Sequence, residues 1–118
     1  MNVLFDHEYR ALVIGASGAI GQAFVDALRA DPHCIHAEAV SRANGGGFDL
    51  MDPDSLAIQA AACAGSGPYH VIVDATGALT IDGVGPEKSL AAVQPDVLAK
   101  SFQLNAIGPL LVLRHFAR

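Results

Sequence analysis

Apolar residues along the chain fall into two kinds of run. Ala11-Leu12-Val13-Ile14 and Val71-Ile72-Val73 are unbroken and short, as in strands buried on both faces, and Ile35 to Ser41 reads as another strand. Between the first two of these runs, Phe24, Val25 and Leu28 recur at helical spacing until Asp31-Pro32 stops them. Asp52-Pro53-Asp54 carries capping chemistry, and an Ala-rich helix follows from Leu56 to Ala64, ending at Gly65-Ser66-Gly67-Pro68. Strand and helix therefore alternate, which predicts a doubly wound parallel α/β sheet. Phe48-Asp49-Leu50 is expected to add a short third strand, giving about four strands in the order 3-2-1-4. Only Ala43 to Gly47 separates it from the second strand, although parallel neighbours need a crossover of about a dozen residues.

Residues 77–94 read as loop, and Pro95-Asp96 opens a helical stretch that runs to the end of the sequence. Leu104, Ile107 and Leu111 and, from the other side, Leu110 and Leu113 predict a broad apolar surface on it. Pro109 lacks the N–H that would bond the Asn105 carbonyl, so a bend is expected there, either leaving that carbonyl to hold a water or serving as a simple packing kink.

The first apolar run stops at Gly15, and Gly18 and Gly21 follow at three-residue intervals before the helix begins. Backbone N–H groups at a helix N-terminus can meet phosphate oxygens only where no Cβ blocks the approach, so this strand-turn-helix unit predicts a pyrophosphate site. Gly15, Ser17, Gly18, Ala19, Ile20 and Gly21 are its candidate residues. Ser41 and Arg42 lie about 20 residues beyond Gly21, where a dinucleotide's ribose partner is expected, and a hydroxyl plus a cation suits a 2′-phosphate. NADP is therefore favoured over NAD. Asp49 and Leu50 offer a carboxylate and a backbone N–H to an adenine edge, with a helix cap as the competing role. Ala75, Thr76 and Gly77, small residues at a strand's carboxyl end, let a ribose lie against the backbone.

Composition narrows the partners. The sequence has 118 residues, 52% of them hydrophobic, and a net charge of −5, which suits one core and leaves no basic stripe for nucleic acid. No apolar run reaches bilayer length and no basic region leads an apolar stretch at the N-terminus, so a cytoplasmic protein is expected. Cys34 and Cys63 lack paired-motif spacing and are expected as thiols, and His33, Cys34 and His36 have no distant partner group, so no metal site is assigned.

Together, Ile14 to Gly21, Asp49-Leu50, Asp74-Ala75-Thr76-Gly77 and Asn105-Ala106-Ile107-Gly108-Pro109 resemble the short-chain dehydrogenase/reductase family, and its C-factor-like members in particular. Against that family's T-G-x-x-x-G-x-G turn, Gly15 and Gly21 match, Ala19 replaces the middle glycine and Ile14 the threonine. Its N-N-A-G becomes Asp74-Ala75-Thr76-Gly77. The resemblance implies a Rossmann-like fold, one NAD(P)-binding domain over residues 1–118, and hydride transfer on a small-molecule carbonyl or alcohol. It also implies that Asn105 is the family's catalytic asparagine, whose main-chain carbonyl positions a water. The family's general acid or base is the tyrosine of Tyr-x-x-x-Lys, but Tyr9 and Tyr69 are followed four residues on by Val13 and Val73. The expectation is thus the cofactor-binding half of a reductase, fragment or truncated product, associating with itself through the C-terminal helix. A non-catalytic dinucleotide-binding or redox-sensing module acting through a protein partner is the alternative; a structural domain that binds no nucleotide is a third reading.

Overall fold

A computed structural model describes residues 4–41, 49–78 and 80–117. Its centre is Tyr9–Ile14 (β1), where Ala11, Leu12, Val13 and Ile14 are all fully buried. Burial of every side chain in a strand requires cover on both faces, and two clusters provide it. Leu12 and Ile14 pack with Leu56, Cys63, Val112 and Phe116, while Tyr9, Ala11 and Val13 pack with Val25, Leu28 and Ala37. Val25 and Leu28 belong to the helix Ala19–Ala30 (α1); Leu56 and Cys63 belong to Pro53–Ala64 (α2) on the opposite face. Cys34–Val40 (β2) and Val71–Asp74 (β3) flank β1, both parallel to it, in the order β2-β1-β3.

The expected third strand is not formed at Asp49 and Leu50, which lie in a turn, while Phe48 and Arg42 fall outside the described residues. Local chemistry claims this segment for α2 instead. The Asp49 N–H donates to Ser55 Oγ (2.9 Å), the Met51 N–H donates to Asp49 Oδ1 (2.8 Å), and Asp52 caps the helix through the Asp54 N–H. The remaining order matches the expected one with that strand removed, the fourth predicted strand being β3.

The predicted long helix is interrupted. Pro95–Phe102 (α3) passes through a π turn at Gln103–Ile107 into Gly108–Phe116 (α4). The Gly108 N–H bonds to the Gln103 carbonyl, five residues back, so Leu104 loses its α-helical donor, and Asn105 has none because Pro109 carries no N–H. The expected apolar surface divides there: Leu104 and Leu111 pack against the core with Val112 and Phe116, whereas Ile107, Leu110 and Leu113 stay exposed. Within the predicted loop, Ile81 and Val84 form a small antiparallel bridge around Asp82 (φ 53°) and Gly83 (φ 80°), the left-handed pair a type I′ turn requires. No helix among the described residues is long and apolar enough to cross a membrane.

Candidate functional site

The carboxyl ends of β1, β2 and β3 meet at the glycine turn. Gly15 (φ 85°) starts it, and the Gly15 and Ala16 N–H groups both donate to the Val40 carbonyl, at 2.8 and 3.1 Å. Those two amides tie the turn to β2 and are spent. Beyond them the Gly18 N–H donates back to the Gly15 carbonyl (3.4 Å), Gly18 caps α1 with no side chain, and the first helical bond runs from the Gln22 N–H to the Gly18 carbonyl (2.8 Å). By helical geometry, the Ala19, Ile20 and Gly21 N–H groups have no acceptor within the helix.

The three glycines serve different purposes. A Cβ on Gly21 would stand 2.1 Å from the Gly15 carbonyl oxygen, and one on Gly15 would stand 2.9 Å from the Ala75 carbonyl group. Both positions are closed by the protein's own backbone. On Gly18 the nearest atom to a Cβ is the Gly15 carbonyl oxygen at 3.8 Å, an ordinary van der Waals distance, so the protein leaves room there. Gly18 lines a cavity of about 400 Å³. Gly15, Ser17, Gly18, Ser41, Asp49, Leu50, Ala75, Thr76 and Gly77 line it, bringing together sequence positions from four separate segments. Ala19, Ile20 and Gly21 do not line it; they stand behind the turn as the first residues of α1.

At the end of β3, Asp74 is turned to local use. Its Oδ1 accepts from the Thr76 N–H (3.0 Å) and the Thr76 hydroxyl, which fixes the turn rather than presenting a carboxylate to the cavity. Asn105 then holds the next residue. Its Oδ1 accepts from the Ala78 N–H (2.8 Å), and its Nδ2 donates to the Ala78 carbonyl (2.9 Å) and to Ser101 Oγ (3.3 Å). Gly77 (φ 131°) lies against this clamp, since a Cβ there would be 3.0 Å from Asn105 Oδ1. Asn105 itself lines a smaller neighbouring cavity of about 100 Å³, which shares Ala78 and Ile81 with the larger one.

Sequence reasoning missed Met51, Ala78, Thr80, Ile81, Asp82 and Leu104, all of which also line the larger cavity. The Asp82-Gly83 dipeptide was a hairpin signal that could have found the turn carrying Asp82. The electrostatic balance is acidic: Asp49 and Asp82 line the cavity, no Lys or Arg does among the described residues, and Lys100 Nζ lies 3.1 Å from Asp82 Oδ2.

At the amino ends of the strands a separate polar cluster holds the fold. Asp31 accepts from the Tyr9 hydroxyl, the Leu4 N–H (3.0 Å) and the His33 N–H (2.9 Å). The Tyr9 bond, then the Leu4 amide, hold the Asp31 carboxyl below its ordinary value, and burial followed by the hydrogen bond to Asp31 pushes the Tyr9 phenol up. His33 Nδ1 is 2.6 Å from the Phe5 carbonyl and His36 Nε2 is 2.8 Å from Glu38, so each of these imidazoles has an oxygen partner. Cys34 and Cys63 are free thiols, and burial raises that of Cys63.

No protein-family model and no curated protein matches the sequence. Solved structures do match the fold. A small-chain dehydrogenase in complex with NADPH aligns at 21% identity and a TM-score of 0.72, covering 94% of this chain and 45% of that chain. The NADPH-bound carbonyl reductase from chicken fatty liver aligns at 16% identity and a TM-score of 0.73, with 94% and 48% covered. A variant of the short-chain dehydrogenase/reductase of Serratia marcescens aligns at 19% identity and 0.69, with 95% and 52% covered. The chain thus spans about half the length of each of these proteins, and over that length it has the Rossmann-like α/β fold of the short-chain dehydrogenases/reductases.

Proposed function

We propose that residues 1–118 form a dinucleotide-binding domain, the cofactor half of an NADP-dependent short-chain oxidoreductase acting on a small carbonyl or alcohol. The observation that carries this reading is the glycine turn at Gly15 to Gly18, where the protein leaves room beside Gly18. It faces a 400 Å³ cavity, within the usual range of roughly 300–1,000 Å³ for small-molecule sites, and it sits at the carboxyl edge of a parallel sheet. The fold shared with two NADPH-bound proteins supports the same ligand class.

In this reading Gly15, Ser17 and Gly18 form the cradle, and the first-turn amides of Ala19, Ile20 and Gly21 direct their partial positive charge at the pyrophosphate. Asp49 and Leu50 meet the adenine edge, and Ala75, Thr76 and Gly77 lie under a ribose. Ser41 and Arg42 take the 2′-phosphate. The nicotinamide supplies the hydride when bound. Asn105 contributes twice: its side chain fixes the Ala78 backbone, and its main-chain carbonyl, lacking a donor from Pro109, holds the water of a proton relay. The relay's tyrosine and lysine have no Tyr-x-x-x-Lys counterpart among these 118 residues, so this chain is assigned cofactor binding. Exposed Ile107, Leu110 and Leu113 give it a face for self-association.

Calorimetric titration of the chain with NADP and NAD tests the reading. Tighter binding of NADP is expected, with Arg42→Ala losing about tenfold for NADP and little for NAD, in line with one charge-assisted phosphate contact. Tighter binding of NAD would overturn the cofactor assignment.

A further inference from the structure

Four large apolar residues line the cavity: Leu50, Met51, Ile81 and Leu104. Three are committed elsewhere or covered. Leu50 is buried in the core, Leu104 packs against the same cluster, and Ile81 is half-buried. Met51 is the exception, 40% exposed at the cavity wall. Its backbone is nonetheless fixed, because its N–H donates to Asp49 Oδ1 (2.8 Å) and the next residue, Asp52, caps α2. A mobile thioether is thus held on a rigid stem beside the two residues assigned to the adenine edge.

We infer that Met51 covers one face of the purine ring, so that the adenine end is gripped at its edge by Asp49 and Leu50 and on its face by the Met51 thioether. Sulfur packs favourably on aromatic rings, and a flat base removes apolar surface that water now reaches. The inference rests on the reading of this cavity as a dinucleotide site and adds to it which end is anchored by apolar contact.

A competing role exists. Met51 precedes the cap residue of α2, and Leu56 occupies the fourth helical position, the spacing of a hydrophobic staple. A staple would affect folding and be indifferent to ligand chemistry. The test therefore measures both. Met51→Ala, Met51→Leu and Met51→Gln are titrated with adenosine 2′,5′-bisphosphate, adenosine monophosphate and nicotinamide mononucleotide, and their thermal midpoints are recorded.

Met51→Ala and Met51→Gln are expected to weaken both adenine ligands by about three- to tenfold while nicotinamide mononucleotide is unaffected, and Met51→Leu should stay within about twofold. Wild-type affinity for the adenine ligands in Met51→Ala and Met51→Gln would overturn the inference, as would a lowered midpoint with equal losses for all three ligands. Binding of no adenine ligand by the unaltered chain would overturn the dinucleotide reading itself, and Met51's role with it.

Discussion

Two glycine-to-alanine changes, three residues apart, should have opposite consequences. At Gly21 the added methyl carbon would stand 2.1 Å from the Gly15 carbonyl oxygen, well inside van der Waals contact, and backbone cannot swing aside as a side chain can. In an open helix the same change would gain up to about 1 kcal/mol from propensity. Overpacking of a tight site costs about 1–3 kcal/mol, and this contact belongs at the severe end, leaving a net loss of about 1–2 kcal/mol. For a chain of this size that lowers the thermal midpoint by roughly 5–10 °C. At Gly18 the nearest atom is 3.8 Å away and the backbone (φ −78°, ψ 164°) is ordinary for alanine. Loss of a favoured N-cap residue and the reduced entropy of the unfolded chain largely offset one another, so stability should stay within about 0.5 kcal/mol. The methyl would instead occupy the space assigned to a phosphate oxygen. NADP affinity should fall at least about tenfold. Differential scanning fluorimetry and calorimetric titration on both variants decide the matter. Unchanged NADP binding by Gly18→Ala, or a Gly21→Ala protein as stable as the parent, would refute the division of labour between packing glycine and cradle glycine.

The other consequences concern the opposite end of the sheet and the outer helix face. Asp31 has its carboxyl held below its ordinary value of 3.8, so its contribution to stability is complete above that value and is lost as pH falls through the lowered one. The acid limb of the unfolding profile should flatten in Asp31→Asn, with a lower midpoint at neutral pH; an unchanged acid limb would contradict the role of the Tyr9–Asp31 bond. Leu110 and Leu113 are each more than 60% exposed, so Leu110→Glu with Leu113→Glu should shift the chain to monomer in light scattering without lowering its thermal midpoint. A parent chain already monomeric at high concentration would contradict the assigned face.

The sheet's centre and the glycine turn were legible because they depend on contiguous residues. An unbroken run such as Ala11 to Ile14 has few fates other than a strand covered on both faces, and Gly15-Ala16-Ser17-Gly18 comes directly after it. Contacts between distant segments were not legible. Nothing local to Asn105 indicates that its side chain would clamp Ala78, 27 residues earlier. Asp49 illustrates competition: its strand-like neighbours suggested a third strand, but Ser55, six residues on, takes its N–H and draws it into the entry to α2. The outer helix divides the broad apolar surface expected of it. Leu104 and Leu111, seven residues apart, pack inward, while Leu110 and Leu113 on the other side stay exposed, and which side meets the core is set by the distant Leu56 and Cys63 of α2 rather than by anything local to the helix. The family pattern sets Ala19 at its middle glycine, and which of Gly15, Ser17, Gly18 and Ala19 line the cavity was set by the fold of the turn, the first three doing so.

The central claim is that phosphate oxygens of a dinucleotide meet main-chain amides at the tip of β1. Backbone amide shifts recorded while NADP is titrated into the isotopically labelled chain test it most directly. The largest changes should fall on Ser17 to Gly21, with a second group at Asp49 to Met51 and a third at Ala75 to Ala78, while the strand amides of Tyr9 to Val13 stay in place. Saturable shifts confined to some other surface, with the Ser17 to Gly21 amides unmoved at full occupancy, would contradict the claim.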